Sequence, residues 1–356
     1  MTDFLVVLVE HGYTIRNYER DIIAAAGGEL VDAEDWPLNE ALDLCSRADG
    51  ILLRRTQVTA EMIRKFQRCR IIVRYGVGTD DIDIKAATDA GIIVGNVPDY
   101  CMDEVSTHAI ALLLACVRGV CGTHARMTQG DWDVRRQVPV YQVAGKVLGL
   151  VGLGQIGSEV ARKMAPWGLR ILACDPFVEE GHARSLGVQL VDLETLCRQS
   201  DYISLHVPLL PETHHLVEAA QLKLIKRGCI LVNTARGPVV DTEALLAALD
   251  DGRLAWAALD VFEQEPLPAD SRVRRHARVI LTDHMAWYSE ESQVRLQTSA
   301  AKSAVAACTG GVPASLANPQ VLYKLGKFDQ WQPAPCMRWQ LARMRKAGLI
   351  PAAGRG

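Results

Sequence analysis

Residues 4–9, 50–53, 71–73 and 92–94 are short, continuously apolar runs rich in β-branched side chains. Runs of this kind predict strands buried on both faces. Between them, 39–45 and 59–66 carry apolar positions at helical spacing. A second series of apolar runs follows at 147–151, 170–174, 202–205, 230–233, 256–259 and 279–281, with helix-like segments in the gaps. Strand alternating with helix predicts parallel sheets covered by helices on both faces. The segment from 105 to about 120 is apolar almost all round, which predicts a helix buried in its own domain or against a partner subunit. Residues 128–140 are polar, contain a tryptophan and predict an irregular arm; a long helix is predicted from Ser289 to about Thr309.

The chain has 356 residues, and at roughly 150 residues per domain this implies two domains. A net charge of −3 gives no basic excess, so a dedicated nucleic-acid binder is disfavoured. The ten cysteines form no C-x-x-C pair and no Cys/His cluster with zinc spacing. No metal site is expected, and scattered reduced thiols in a cytoplasmic protein are. The N-terminus lacks the pattern of a signal peptide, and the longest apolar segment, 109–117, is too short to cross a bilayer. The stretch 323–356 carries a net charge of +6 and reads as a basic tail, either solvated or loosely docked, or a strap or anion-attracting lid.

Gly152-Leu153-Gly154-Gln155-Ile156-Gly157 follows the 147–151 strand and opens a helix, and Asp175 ends the next strand 18 residues after Gly157. Gly152 permits the tight turn. Gly154 lets the backbone approach a pyrophosphate seated on the helix N-terminus, and Gly157 lets helix and strand pack closely. The Asp175 carboxylate suits ribose hydroxyls and repels a 2′-phosphate, which favours NAD over NADP. Downstream, Arg236, Glu265 and His284 lie just beyond three predicted strands, where open α/β sheets place ligands.

In this order and spacing, with Arg236 to Glu265 at 29 residues and Glu265 to His284 at 19, the chain resembles the D-isomer-specific 2-hydroxyacid dehydrogenase family. The resemblance covers roughly 45–320 and includes the 74–83 segment (RYGVGTDDID), the glycine loop, His206-Val207-Pro208-Leu209 and Asn233 to Gly237. The segments 96–100, 213–216 and 286–291 are most similar to the branch that holds the C-terminal-binding-protein corepressors and their bacterial dehydrogenase relatives. The resemblance implies two doubly wound parallel-sheet domains: a discontinuous flavodoxin-like substrate domain (1–98 plus 292–322) and a Rossmann cofactor domain (99–291). In the family the cleft between them closes on ligand. It implies NAD-dependent hydride transfer between nicotinamide C4 and substrate C2 of a 2-hydroxy or 2-keto acid. Arg236 would bind the substrate carboxylate and polarise the keto oxygen. His284 would be the acid/base, and Glu265 would orient its ring and favour the imidazolium.

The implied cofactor residues are Gly152, Gly154, Gln155, Ile156, Gly157, Asp175, Val207, Thr213, Thr234, Ala235, Asp260 and His284. Of these, Asp260 would hold the nicotinamide amide. Arg74 and the Val77-Gly78 backbone would bind substrate, Trp287 would be a bulky wall beside it, and Arg55 would bind a second anionic group. The helix and arm near 103–145 correspond to the family's dimer contact. Asp283 stands where the family commonly has proline. A NAD(H)-sensing scaffold or corepressor-like protein with little turnover remains the alternative, because the corepressors keep the same three residues.

Overall fold

The computed structural model describes residues 3–13, 17–133 and 139–351. The chain divides into two compact units, Met1–Tyr100 with Ser289–Gly356, and Cys101–Tyr288. Both are α/β folds built on a parallel sheet, the architecture the alternating pattern predicts.

The first unit holds β1 (Phe4–Leu8), β2 (Gly28–Asp32), β3 (Gly50–Leu53), β4 (Ile71–Arg74) and β5 (Ile93–Gly95) in the order β2-β1-β3-β4-β5. This is the flavodoxin-like doubly wound order. Val7, Ile51, Leu53, Ile72 and Val94 are buried on one face with Ile63, Ile82 and Ala87 from the covering segments. The helix Glu290–Cys308 belongs to this unit and starts with a capping box at Ser289 and Ser292. Its buried positions Ala300, Ala301, Ala304 and Ala307 are small, which allows close packing. The sequence pattern passes over β2. That strand reads Gly-Glu-Leu-Val-Asp and is only half-buried, as an edge strand can be.

The basic C-terminal stretch is not a detached tail through residue 351. Trp331 Nε1 donates to Pro313 O at 3.1 Å, Ala334 N to Ala314 O at 3.0 Å and Gln340 Nε2 to Leu316 O at 3.1 Å. Trp331, Met337, Leu341 and Met344 are buried, so the apolar side chains between the cations hold it in place.

The second unit holds β6 (Val147–Val151), β7 (Arg170–Cys174), β8 (Val188–Leu190), β9 (Tyr202–Leu205), β10 (Cys229–Asn233), β11 (Leu254–Leu259) and β12 (Val279–Leu281). Their order is β12-β11-β10-β9-β6-β7-β8, a Rossmann sheet with one added strand. The order reverses between β6 and β9, which is the switch point where such sheets bind ligands. The predicted apolar helix runs Met102–Arg118 and stops at Gly119, which adopts φ +63°; a second helix, Val120–Met127, continues at a 60° bend. Among the described residues no single helix is long and apolar enough to cross a membrane. Part of the predicted arm, 134–138, lies outside the described residues.

Candidate active site

The glycine loop sits at the switch point, and its glycines are required sterically. Gly152 has φ +95°, and a Cβ there would stand 2.9 Å from the carbonyl carbon and oxygen of His206, which follows β9. A Cβ on Gly157 would stand 2.2 Å from Gly152 O. No side chain therefore fits between the β6 turn and the helix Gln155–Met164. Gly154 is that helix's N-cap and offers no side-chain cap, so a bound anion can take the place of one at this helix N-terminus. Asp175 is half-buried at the end of β7. Its Oδ2 accepts Leu153 N at 2.9 Å and its Oδ1 accepts Phe177 N at 2.9 Å. Each oxygen keeps a lone pair for a ribose hydroxyl.

Thr234 is buried, and its hydroxyl finds no hydrogen-bond partner in the protein. A buried hydroxyl of this kind suits a bound ligand. These features fit a dinucleotide. Val207 is half-buried and its Cγ1 would lie 3.1 Å from a Gly152 Cβ, so it lines the same turn. The Thr213 hydroxyl is engaged in its own loop, donating to Pro208 O at 2.6 Å and accepting Leu210 N at 2.8 Å. His206 lies beside the loop with its pKa pushed down to about 4 by burial, so its ring stays neutral near pH 7.

Sheet register brings the catalytic segments together. Asn233 pairs with Leu259, and Leu259 with Leu281, so β10, β11 and β12 end level with one another. With strands about 4.8 Å apart, the three following loops lie side by side. Asn233 ties its turn by accepting Ala235 N at 3.0 Å and donating to Arg236 O at 2.9 Å. Gly237 then lets the next loop approach closely, since a Cβ there would stand 1.9 Å from Phe262 C. Glu265 Oε1 accepts Phe262 N at 3.0 Å, and its Oε2 lies 2.6 Å from His284 Nδ1. Burial raises the Glu265 pKa. The bond to and charge of His284, the Phe262 N–H and the Arg236 charge outweigh it, so the carboxyl lies below its usual range. Arg236, Glu265 and His284 are therefore electrostatic neighbours.

His284 itself has φ +59°, an unusual value for a non-glycine residue that costs on the order of 1 kcal/mol or more. Asp260 holds it there. The Asp260 backbone carbonyl accepts His284 N at 2.8 Å, while its Oδ1 accepts Met285 N and its Oδ2 accepts Ala286 N, both at 3.0 Å. This stapling role was not legible in the sequence, which marks Asp260 only through the resemblance. Asp283 is exposed, and Trp287 stacks edge-on against Tyr288 at 5.5 Å.

In the first unit, Arg74 ends β4 and donates to Tyr75 O at 2.9 Å, with Asp81 3.5 Å away. Val77 is exposed, and its carbonyl accepts the buried Asn96 Nδ2 at 2.8 Å. Arg55 is exposed, whereas the Arg54 guanidinium lies 5.2 Å from the Tyr13 ring and donates to His11 O at 3.1 Å.

A dinucleotide crevice in register with an arginine and a carboxylate-oriented histidine defines a nicotinamide-dependent oxidoreductase. The family profile described as D-isomer specific 2-hydroxyacid dehydrogenase, NAD binding domain, matches residues 110–286, inside the second unit. The chain is 41% identical over 268 residues to a glyoxylate reductase of Korarchaeum cryptofilum, covering 74% of this chain and 81% of that protein. It is 38% identical over 310 residues to the D-3-phosphoglycerate dehydrogenase of Methanocaldococcus jannaschii, covering 85% of this chain but only 58% of that longer protein. The D-lactate dehydrogenase of Aquifex aeolicus, solved with NAD and lactic acid, superposes with a TM-score of 0.79 at 27% identity, covering 88% of this chain and 98% of that one. The chain belongs to the D-isomer-specific 2-hydroxyacid dehydrogenase family of NAD-dependent oxidoreductases acting on CH–OH groups.

Proposed function

We propose that the protein interconverts a D-2-hydroxy acid and its 2-keto acid, most readily as a keto-acid reductase. The observation that carries this reading is the 2.6 Å contact between Glu265 Oε2 and His284 Nδ1, with the Arg236 charge bearing on the same carboxylate. Glu265 accepts only, so Nδ1 carries the proton and Nε2 is the atom left to exchange one with substrate. The first-turn N–H groups of Gln155–Met164, with Asp175 and Thr234, would hold the cofactor, and Asp260 keeps one lone pair on Oδ2 for the nicotinamide amide. When bound, NADH supplies the hydride that reduces C2.

The chain's own work is then positional and protic. Arg236 binds the carboxylate bidentately and polarises the keto oxygen, and His284 Nε2 protonates that oxygen. Arg74 and the Val77-Gly78 backbone contribute to carboxylate binding. A second anionic group on the substrate would be bound by Arg55, which is exposed, while the Arg54 guanidinium is engaged with the Tyr13 ring and His11 O. The exposed Val120, Met127, Trp132 and Tyr141 support a homodimer through the 103–145 region. None of the ten cysteines is in a disulfide, which fits the reducing cytoplasm.

A panel of mono- and dianionic 2-keto acids with NADH, followed by nicotinamide absorbance, tests the reading. We expect turnover that falls by orders of magnitude in His284→Ala while NADH binding persists. Equal rates in the two proteins would defeat the enzyme reading, and NADH binding without turnover of any keto acid would favour a NAD(H)-sensing scaffold. Arg55→Ala is expected to raise KM for dianionic substrates only. An unchanged KM for every dianionic substrate would remove the second-anion role.

A further inference from the structure

The buried Asp260 carboxylate has a third donor besides the two loop amides. The Thr282 hydroxyl lies 2.6 Å from Oδ1. A carboxylate only accepts, so the Thr282 proton points at Asp260 and the hydroxyl's lone pairs face away. There they meet the ring of His108, on the helix Met102–Arg118, whose Nε2 lies 3.1 Å from Thr282 Oγ1 and 3.6 Å from Asp260 Oδ1. Because Thr282 has already spent its only proton, His108 must be the donor, which places a hydrogen on Nε2. The result is a converging set: His108 N–H donates to Thr282, Thr282 O–H donates to Asp260, and the same carboxylate accepts the amides of Met285 and Ala286, which follow His284. All of these residues lie in the Cys101–Tyr288 unit.

We propose that His108 is a positioning residue for the acid/base histidine, anchoring the 282–286 loop to the helix Met102–Arg118 through Thr282 and Asp260. The inference rests on the dehydrogenase reading for the role of His284 but not for the anchoring itself. His284 holds a left-handed backbone conformation, so its loop needs external restraint to keep Nδ1 on Glu265. Each donor in the set orients its acceptor, and the buried carboxylate at its centre gains strength from every added bond. His108 is only 19% exposed, so water does not readily replace it.

The test uses the full-length protein with two readouts. Amide hydrogen exchange of the peptide spanning 282–288 is measured without substrate or cofactor, and kcat and KM are measured with NADH and the best keto acid of the panel. His108→Leu, which removes the donor, is expected to speed exchange in that peptide about tenfold and to lower kcat by about tenfold. KM and NADH affinity should stay within about twofold, since no group touching substrate is lost. His108→Gln, whose amide nitrogen can reach the Nε2 position, is expected to restore both readouts to within about threefold of wild type. Should the leucine variant not fold, Thr282→Val is expected to show the same losses and Thr282→Ser to be spared. Wild-type exchange in either donor-deleted variant, or a glutamine variant as impaired as the leucine one, would overturn the proposal. A wild-type enzyme that reduces no keto acid would instead sink the dehydrogenase reading, and the exchange measurement would still decide the anchor.

Discussion

Gly237→Ala should disable the enzyme without touching any reacting group. A Cβ at this position would stand 1.9 Å from Phe262 C, 2.0 Å from Phe262 O and 2.4 Å from Glu263 N. All three are backbone atoms, so no rotamer change relieves the clash. Ordinary contact begins at 3.4 Å, so the Phe262–Glu263 peptide would have to retreat by about 1.5 Å. Phe262 N is bonded to Glu265 Oε1, so the retreat carries the carboxylate away from His284. A misplacement of about 1 Å in a catalytic array costs on the order of a hundredfold in rate. Overpacking of this kind costs about 1–3 kcal/mol of stability. We expect kcat to fall by about two orders of magnitude with NADH affinity nearly unchanged, measured by steady-state turnover and nicotinamide fluorescence. The urea midpoint should fall as well. Gly181→Ala is the control. It lies in the helix Glu180–Ser185 with open space around its Cβ position, and is expected to be neutral or to add about 0.5–1 kcal/mol. A Gly237→Ala enzyme with wild-type kcat and midpoint would refute the claim that backbone approach at this point sets the Glu265 position.

Three further outcomes follow from the site. The Glu265 carboxyl lies below its usual range in the folded protein, so its ionised form stabilises the fold above the ordinary carboxylate pKa of about 4.3. That contribution is lost as pH falls through the depressed value. Stability measured against pH should therefore show the gap between wild type and Glu265→Gln narrowing below about pH 4, and a constant gap would contradict the assignment. Asp175→Ala removes the acceptor of Leu153 N and Phe177 N and is expected to cost about 1–3 kcal/mol in a denaturant titration. It should also relax the preference for NADH over NADPH, and wild-type selectivity would defeat the ribose role. Gly157→Ala, with its Cβ 2.2 Å from Gly152 O, should abolish nucleotide binding in a direct titration.

The central strands of the second sheet were legible because each is an apolar run buried on both faces: 147–151, 202–205 and 230–233 could be marked from hydropathy alone. The edge strands Gly28–Asp32 and Val188–Leu190 were not, because polar residues (Glu29 and Asp32, Gln189) interrupt their apolar positions. The glycine loop was legible for a steric reason, since no other residue tolerates the contacts Gly152 and Gly157 make. The fate of the C-terminal stretch was not, because its cations outnumber the few apolar side chains that hold it.

By itself, then, the sequence determined the fold class, the nucleotide loop and the candidacy of Arg236, Glu265 and His284, because strand burial and glycine sterics are local properties written residue by residue. Tertiary structure alone decided that Glu265 and His284 meet, that Asp260 staples the loop between them, that Arg54 rather than Arg55 turns toward Tyr13, and that His108 reaches Thr282 from 174 residues away. These are matters of register and rotamer. Parallel strands ending level with one another, and a hydroxyl with a single proton to give, fix them in space, and neither leaves a periodic trace along the chain.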